Sequence, residues 1–143
     1  MTDTLSAPEA LFEPGHAVTL PFTVTEGMME AFRTVSGDDN PLHDDKDFAA
    51  ARGFKGPVVY GGLLVAQVSR LLGTRLPGHG CVWQSLNLRF RQPLHVGEAA
   101  EVTGTVIHGN ADVGVVRLAL AITSGGRKLA EGEAQALLPR GRA

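Results

Sequence analysis

The segment Gly61–Leu72 most constrains the fold of this chain, because its pattern is typical of a helix with almost no polar face. Its only polar side chains are Gln67, Ser69 and Arg70. A helix that is apolar nearly all round belongs inside a core rather than on a surface. The sequence therefore predicts one buried helix, around which the other elements must be arranged.

Apolar and polar residues alternate in several stretches on both sides of this helix, which is the pattern of half-buried β-strands. The first stretch covers residues 18–24 and contains Pro21, whose missing N–H favours the edge of a sheet. Short connectors with Gly109-Asn110 and Gly125-Gly126 separate three of the longer stretches that follow the helix. These longer stretches are Val82–Arg91, Ala99–Ile107, Val113–Thr123 and Lys128–Leu138.

We expect these patterns to form an α+β domain in which an antiparallel sheet of about five strands wraps around the Gly61–Leu72 helix. Two shorter helices should precede it. Thr25 is placed to cap a helix that ends at Gly37, and Asp45 is placed to cap a second one over Asp45–Arg52. A single wrapped sheet leaves unpaired edges, so a homodimer or higher homo-oligomer is expected.

Length and composition fit one soluble domain. The chain has 143 residues, of which 43% are hydrophobic and 20% charged, and its net charge is −2. We expect a flexible lead-in over residues 1–14 and a single domain over residues 15–143. The charge gives no reason to expect a nucleic-acid partner, and no apolar stretch is long enough for a membrane span. The N-terminus lacks the basic and apolar regions of a signal peptide, so a cytoplasmic location is expected.

The segment with the clearest chemical potential is the loop Ser36–Asp45, with the sequence SGDDNPLHDD. In it, Asp38 and His43 flank the pair Asn40-Pro41, which disfavours helical backbone at Asn40 and fixes one torsion of Pro41. A stiff loop that holds two groups able to exchange protons near neutral pH is typical of acid–base catalysis. If the protein is an enzyme, we expect its chemistry here.

These residues resemble those of the MaoC-like hydratases and dehydratases, and in particular the single-domain (R)-specific enoyl-CoA hydratases with a hot dog fold. The resemblance implies that fold, and it implies a hydro-lyase that adds water to an enoyl thioester or removes it from a 3-hydroxyacyl thioester. The similarity extends over nearly the whole domain. The segments that carry it are Ser36–His43, Phe48–Ala50, Gly53-Phe54, Gly61–Leu64 and Ser85–Leu94.

The resemblance also implies roles for individual residues. Asp38 and His43 match the family's catalytic acid–base pair, and Gly61 matches the glycine whose backbone N–H binds the thioester oxygen. Ser69 falls where these hydratases place a hydroxyl near the active site. The family usually has a histidine where this chain has Tyr60, so Tyr60 is expected to alter the pocket that binds the substrate.

The implied substrate is an acyl thioester of coenzyme A or of acyl carrier protein, with no other cofactor and no metal ion. The chemistry is consistent with this, since the reaction needs a base, an acid and a donor aimed at the thioester oxygen. A backbone N–H at a helix N-terminus is such a donor. Cys81 is the only cysteine, so we expect neither an internal disulfide nor a thiolate metal site.

Two other classes of protein that would share the implied fold remain open. A hot dog thioesterase would use a carboxylate on the central helix, but no Asp or Glu occurs between Phe48 and Gly97. A non-catalytic acyl-thioester-binding subunit would keep the fold and lose the acid–base pair, whereas this chain has both Asp38 and His43.

Further polar residues have simpler explanations. Arg89 and Arg91 lie on one face of a predicted strand, where they either face solvent or contact a phosphate of coenzyme A. The histidines outside the loop are expected to face solvent. They are His16, His79, His95 and His108.

Overall fold

The computed structural model describes residues 10–139, in which a five-stranded sheet packs against helices. The strands are β1 (Ala17–Thr23), β2 (Val82–Phe90), β3 (Ala99–Asn110), β4 (Val115–Ser124) and β5 (Arg127–Leu137). The helices are α1 (Glu26–Ser36), α2 (Lys46–Ala51) and α3 (Gly61–Thr74), with a 3₁₀ turn at Pro41–His43. No helix in this described part of the chain is long and apolar enough to cross a membrane.

Neighbouring strands are antiparallel throughout the sheet, in the order β1-β3-β4-β5-β2, which confirms the predicted α+β architecture. Strands β1 and β2 form the two edges, so Pro21 lies on an edge strand as expected. The turns after β3 and β4 contain Gly114, Gly125 and Gly126 with positive φ, a conformation that glycine adopts without steric cost.

Helix α3 lies against the inner face of the sheet and supplies much of the core, as predicted. Its side chains Leu64, Val68 and Leu71 are at most 3% exposed. A β-carbon added to Gly104 of β3 would come within 2.8 Å of the Leu71 side chain, so glycine lets the helix approach the sheet closely. The buried hydrophobic residues contributed by the three central strands are Ala100, Val102, Val106, Val116, Leu118, Leu120, Ile122, Leu129, Ala130, Ala134 and Ala136.

The short helices begin and end where the sequence predicts. The Thr25 hydroxyl caps α1, and Gly37 ends that helix with a φ of 73°. The Asp45 carboxylate caps α2 by accepting hydrogen bonds from two backbone N–H groups of its first turn. The loop between Gly37 and Asp45 is therefore fixed at both ends.

The predicted flexible lead-in over residues 1–14 is wrong for its last part, while residues 1–9 lie outside the described residues. Phe12 is 8% exposed and belongs to the core. Its carbonyl oxygen lies so close to β3 that a β-carbon on Gly109 would come within 2.3 Å of it. The pair Leu11-Phe12 is too short to show a periodicity, so only tertiary packing reveals its burial. The predicted domain over residues 15–143 stays a prediction.

Candidate active site

The loop between α1 and α2 is held by its own short side chains. The Asp38 carboxylate accepts a hydrogen bond from the Asn40 N–H at 3.0 Å, and the Asn40 side chain accepts one from the Leu42 N–H at 3.1 Å. The Asp38 N–H donates in turn to the Ser36 hydroxyl. Local bonds of this kind suit Asp, Asn and Ser in turns. They stiffen the loop, while the Asp38 side chain stays exposed to solvent.

The His43 ring is oriented by two contacts. Its Nδ1 atom lies 2.6 Å from the carbonyl oxygen of Val58, in the connector before α3. Because a carbonyl oxygen only accepts, Nδ1 carries the proton of the neutral ring and Nε2 keeps its lone pair. The ring also stacks on Tyr60, with the centroids 4.0 Å apart. Neutral His43 therefore offers Nε2 as a proton acceptor in a fixed orientation.

Tyr60 lies behind this loop and is only 3% exposed. Its ring contacts the Phe32 ring at a centroid distance of 4.7 Å, in addition to the stack with His43. Its hydroxyl donates to the backbone carbonyl oxygen of Asp38 at 2.9 Å. Burial, followed by the negative charge of Asp38, raises the pKa of the Tyr60 hydroxyl above its usual value. The phenol is therefore a neutral donor at physiological pH.

A cavity of about 400 Å³ opens beside His43 and the start of α3. Within residues 10–139, no acceptor bonds the Gly61 N–H, which is the first peptide N–H of that helix. An N–H in this position is a donor suited to a negatively charged oxygen. The remaining lining of the cavity is mainly apolar and consists of Phe54, Val58, Val59, Leu64, Phe90, Arg91, Gln92, Pro93 and Leu94.

The first two residues of α3 are glycines for different reasons. A β-carbon on Gly62 would lie 2.2 Å from the Phe32 ring, so Gly62 allows α1 to pack against α3. A β-carbon on Gly61 would lie 3.3 Å from the Phe90 ring, at the wall of the cavity. Without a side chain, Gly61 lets a ligand approach its backbone N–H closely. Phe90 had no signal as a site residue in the sequence, since alternation alone does not show which strand end meets α3.

The structure brings three of the five predicted site residues together. His43 and Gly61 line the cavity, and Tyr60 lies directly behind His43. Asp38 is joined to this group through the Tyr60 hydroxyl, but its exposed side chain does not line the cavity. Ser69 lies on an exposed face of α3, roughly 12 Å along the helix from Gly61. The roles of all five residues stay predictions.

His95 was expected to face solvent, and this is wrong. It is partly buried, and its Nδ1 donates to the Pro57 carbonyl oxygen at 2.8 Å, while its backbone N–H donates to the Glu98 carboxylate. Glu98 also pairs with Arg127 at 3.2 Å and with Lys55 at 3.7 Å. The connector before α3 is therefore held by a network that the sequence pattern did not reveal.

Arg89, near the end of β2, and Arg91, just after it, differ in their partners. Arg91 forms an ion pair with Glu131 at 2.9 Å, whereas Arg89 has no ion pair within the part of the chain that the structure describes. Both border a polar cavity of about 680 Å³ on the outer face of the sheet.

His79 and His108 are exposed as expected. The described residues contain no cluster of three or more His, Cys, Asp or Glu suited to a metal ion.

Comparison with known proteins places the chain among acyl-thioester enzymes. Residues 11–121 match the model of the MaoC-like domain. The chain is 39% identical to the (R)-specific enoyl-CoA hydratase of Aeromonas caviae, over 76% of this chain and 82% of that protein. It is 32% identical to the (R)-specific enoyl-CoA hydratase of Rhodospirillum rubrum, over 87% of each. The solved (R)-hydratase from A. caviae superposes with a TM-score of 0.84 at 35% identity, covering 89% of this chain and 97% of that one.

A sheet of five antiparallel strands around α3, similar to that of the (R)-hydratase, is the hot dog fold that the sequence predicted. The His43 imidazole and the N-terminus of α3 border one apolar cavity. The chain belongs to the MaoC-like dehydratase family, which confirms the resemblance found in the sequence.

Proposed function

We propose that this protein is a hydro-lyase that adds water to a trans-2-enoyl thioester to give the (R)-3-hydroxyacyl thioester, or catalyses the reverse dehydration. The observation that carries the proposal is that the His43 imidazole and the unpaired Gly61 N–H border one apolar cavity. Relatives named (R)-specific enoyl-CoA hydratase and 3-hydroxybutyryl-CoA dehydratase support the hydro-lyase class. The (R) stereochemistry rests on those relatives alone.

In the proposed reaction the thioester oxygen accepts a hydrogen bond from the Gly61 N–H. The oxygen of water bonds to the β-carbon while a base removes one of its protons. The electrons of the carbon–carbon double bond then join the α-carbon to the thioester carbon, and the electrons of the C=O double bond move onto the thioester oxygen. The α-carbon of the resulting enolate then takes up a proton. The donor at the helix N-terminus stabilises the negative charge that develops on the oxygen, an effect of about 3–4 kcal/mol in well-studied enzymes.

We assign the proton transfers to Asp38 and His43 acting as one unit. The support for His43 is its fixed orientation, which leaves Nε2 available at the cavity wall. The support for Asp38 is the hydrogen bond from the Tyr60 hydroxyl to its backbone carbonyl oxygen, together with the resemblance to the family's acid–base pair. Tyr60 is proposed to shape the substrate pocket from behind His43, and Ser69 to border the acyl group further along α3; the role of Ser69 rests on the resemblance alone.

The proposed partner is an acyl thioester of coenzyme A or acyl carrier protein, and no further cofactor is proposed. Arg89, which has no ion pair among the described residues, is a cation suited to a phosphate of coenzyme A. The proposed location is the cytoplasm.

We further propose a homodimer joined at the free edge of β2. This edge has nine residues and no proline, and it exposes Val82 and Phe90 to 52% each. The opposite edge, β1, contains Pro21, which cannot donate to a neighbouring strand.

The proposed function is tested by offering the protein the separate (R)- and (S)-3-hydroxyacyl-CoA enantiomers and recording the absorbance of the conjugated enoyl thioester. Several chain lengths are needed, because the size of the cavity limits the acyl groups that it can hold. We expect dehydration of the (R) enantiomer and none of the (S) enantiomer. If neither enantiomer gives an enoyl thioester at any length, the proposed function is wrong, and equal rates with both would refute the stereochemistry.

A further inference from the structure

Tyr60 is connected to all three groups on which the proposed chemistry depends. It precedes Gly61 in the chain, donates its hydroxyl hydrogen to the Asp38 carbonyl at 2.9 Å, and stacks on His43 at 4.0 Å. Among residues 10–139, no other side chain makes a hydrogen bond or ring contact with both Asp38 and His43. The loop and the helix N-terminus therefore meet at one side chain.

We propose that Tyr60 is a positioning residue, which holds Asp38 and His43 in register with the Gly61 N–H without touching the substrate. The proposal rests on the proposed hydro-lyase function and deepens it. Because Tyr60 adjoins Gly61 and its hydroxyl lies 2.9 Å from the Asp38 carbonyl oxygen, one side chain connects the start of α3 with the loop.

The surroundings of Tyr60 keep both contacts in place. The Phe32 ring packs against Tyr60, and Gly62 gives Phe32 the room to do so. The charged groups that act on the hydroxyl are Arg33, Asp38, Asp39 and Asp44, of which only Arg33 favours ionisation. Burial is the largest cause that raises the pKa of Tyr60, and the three carboxylates raise it further. The hydroxyl therefore keeps its proton and its bond to the loop over the physiological range.

Two substitutions test the hydroxyl hydrogen bond and the ring stack of Tyr60 separately. Tyr60→Phe removes the hydroxyl bond and keeps the ring stack, whereas Tyr60→Leu removes both. A matched control is Ile122→Val in β4, which trims a fully buried side chain that does not line the cavity. For each variant we would measure kcat, KM and Tm with an enoyl-CoA substrate that the wild type accepts, together with the proton NMR shifts of the His43 ring.

We expect Tyr60→Phe to lower kcat about fivefold, the scale of one hydrogen bond, with KM changed less than about twofold. Tyr60→Leu should lower kcat further. Its His43 ring protons should lose the ring-current shift that they keep in Tyr60→Phe. Ile122→Val should lose stability and keep the wild-type kcat.

Wild-type kcat in Tyr60→Leu would overturn the proposal, and so would an equal fall in Ile122→Val at the same loss of Tm. Unchanged His43 shifts in Tyr60→Leu would contradict the stack. If the wild type shows no hydro-lyase activity, the proposed function fails separately. Amide exchange over residues 38–43 then decides the positioning role: we expect faster exchange in Tyr60→Phe, and unchanged exchange would overturn it.

Discussion

His43 and His95 make the same contact in two different settings. Each ring lies with Nδ1 against a backbone carbonyl oxygen of the connector before α3, His43 at Val58 and His95 at Pro57. Of the two rings, only that of His43 lines the apolar cavity beside Gly61. The same Nδ1 contact therefore occurs in a histidine that lines the cavity and in one that does not. The contact alone does not distinguish a site residue from a structural one.

The carboxylates near the two histidines, Glu98 near His95 and Asp38 near His43, differ in whether they form ion pairs. Burial raises the pKa of Glu98, but the His95 N–H and the nearby Lys55 and Arg127 outweigh it and hold that pKa below its ordinary value. Asp38 pairs with no cation in the described part of the chain. Glu98 is therefore held by cations beside the connector, whereas Asp38 has no such ion pair among the described residues.

The largest expected effect is a loss of turnover that occurs on substitution of His43 and not of His95. His43→Gln should lower turnover about 10²-fold or more, the scale of a positioned acid–base group. His95→Gln should leave turnover close to the wild-type value, because His95 holds only the connector. Steady-state rates with an enoyl-CoA substrate measure both, and equal losses in the two variants would refute the distinction.

The next test concerns the carboxylate that accompanies His43. Asp38→Asn should also lower turnover about 10²-fold or more. The double variant with His43→Gln should be little slower than the slower single variant, because groups that act as a unit are not additive. If the loss of turnover in the double variant equals the product of the two single losses, Asp38 and His43 have independent roles. Near wild-type turnover in Asp38→Asn would remove Asp38 from catalysis.

The smallest expected effect is on stability and tests the structural role of Glu98. Its folded-state pKa is lowered, so its contribution is present above the ordinary pKa of a glutamate and is lost as pH falls through the folded value. Glu98→Gln should therefore cost about 1 kcal/mol at pH 7 and little at acidic pH. The measurement is Tm of wild type and variant across this range.

The matched control for this test is Glu131→Gln on the outer sheet face. Glu131 contacts Arg91 and Lys128 in an exposed setting, so its substitution should change Tm less. A loss of Tm in Glu98→Gln that is the same at pH 3 and pH 7 would contradict the ionic role of Glu98.

The features that sequence predicted well are those set by near neighbours along the chain. Alternation indicated the strands, the apolar run indicated α3, and single residues such as Thr25 and Asp45 indicated the caps. The pair Asn40-Pro41 indicated a stiff loop, and the hydrogen bonds of Asp38 and Asn40 within that loop are present. Local spacing carries this information because helices, turns and caps form within a few residues.

The features that sequence missed depend on pairs of residues far apart in the chain. The bond from His95 to Pro57 spans 38 residues, and the bond from Tyr60 to Asp38 spans 22. Phe90 meets Gly61 only because the end of β2 lies beside the start of α3. A periodic pattern shows which residues share a face, but it does not show which faces of different elements meet.

The central claim is that the His43 cavity hydrates an enoyl thioester and does not hydrolyse it. The most direct test follows one reaction of an enoyl-CoA with two readouts, the absorbance of the conjugated double bond and the release of free thiol. We predict loss of the enoyl absorbance without comparable thiol release, since α3 carries no Asp or Glu to drive hydrolysis. Rapid thiol release with the enoyl absorbance retained, at several chain lengths, would contradict the claim and indicate a thioesterase.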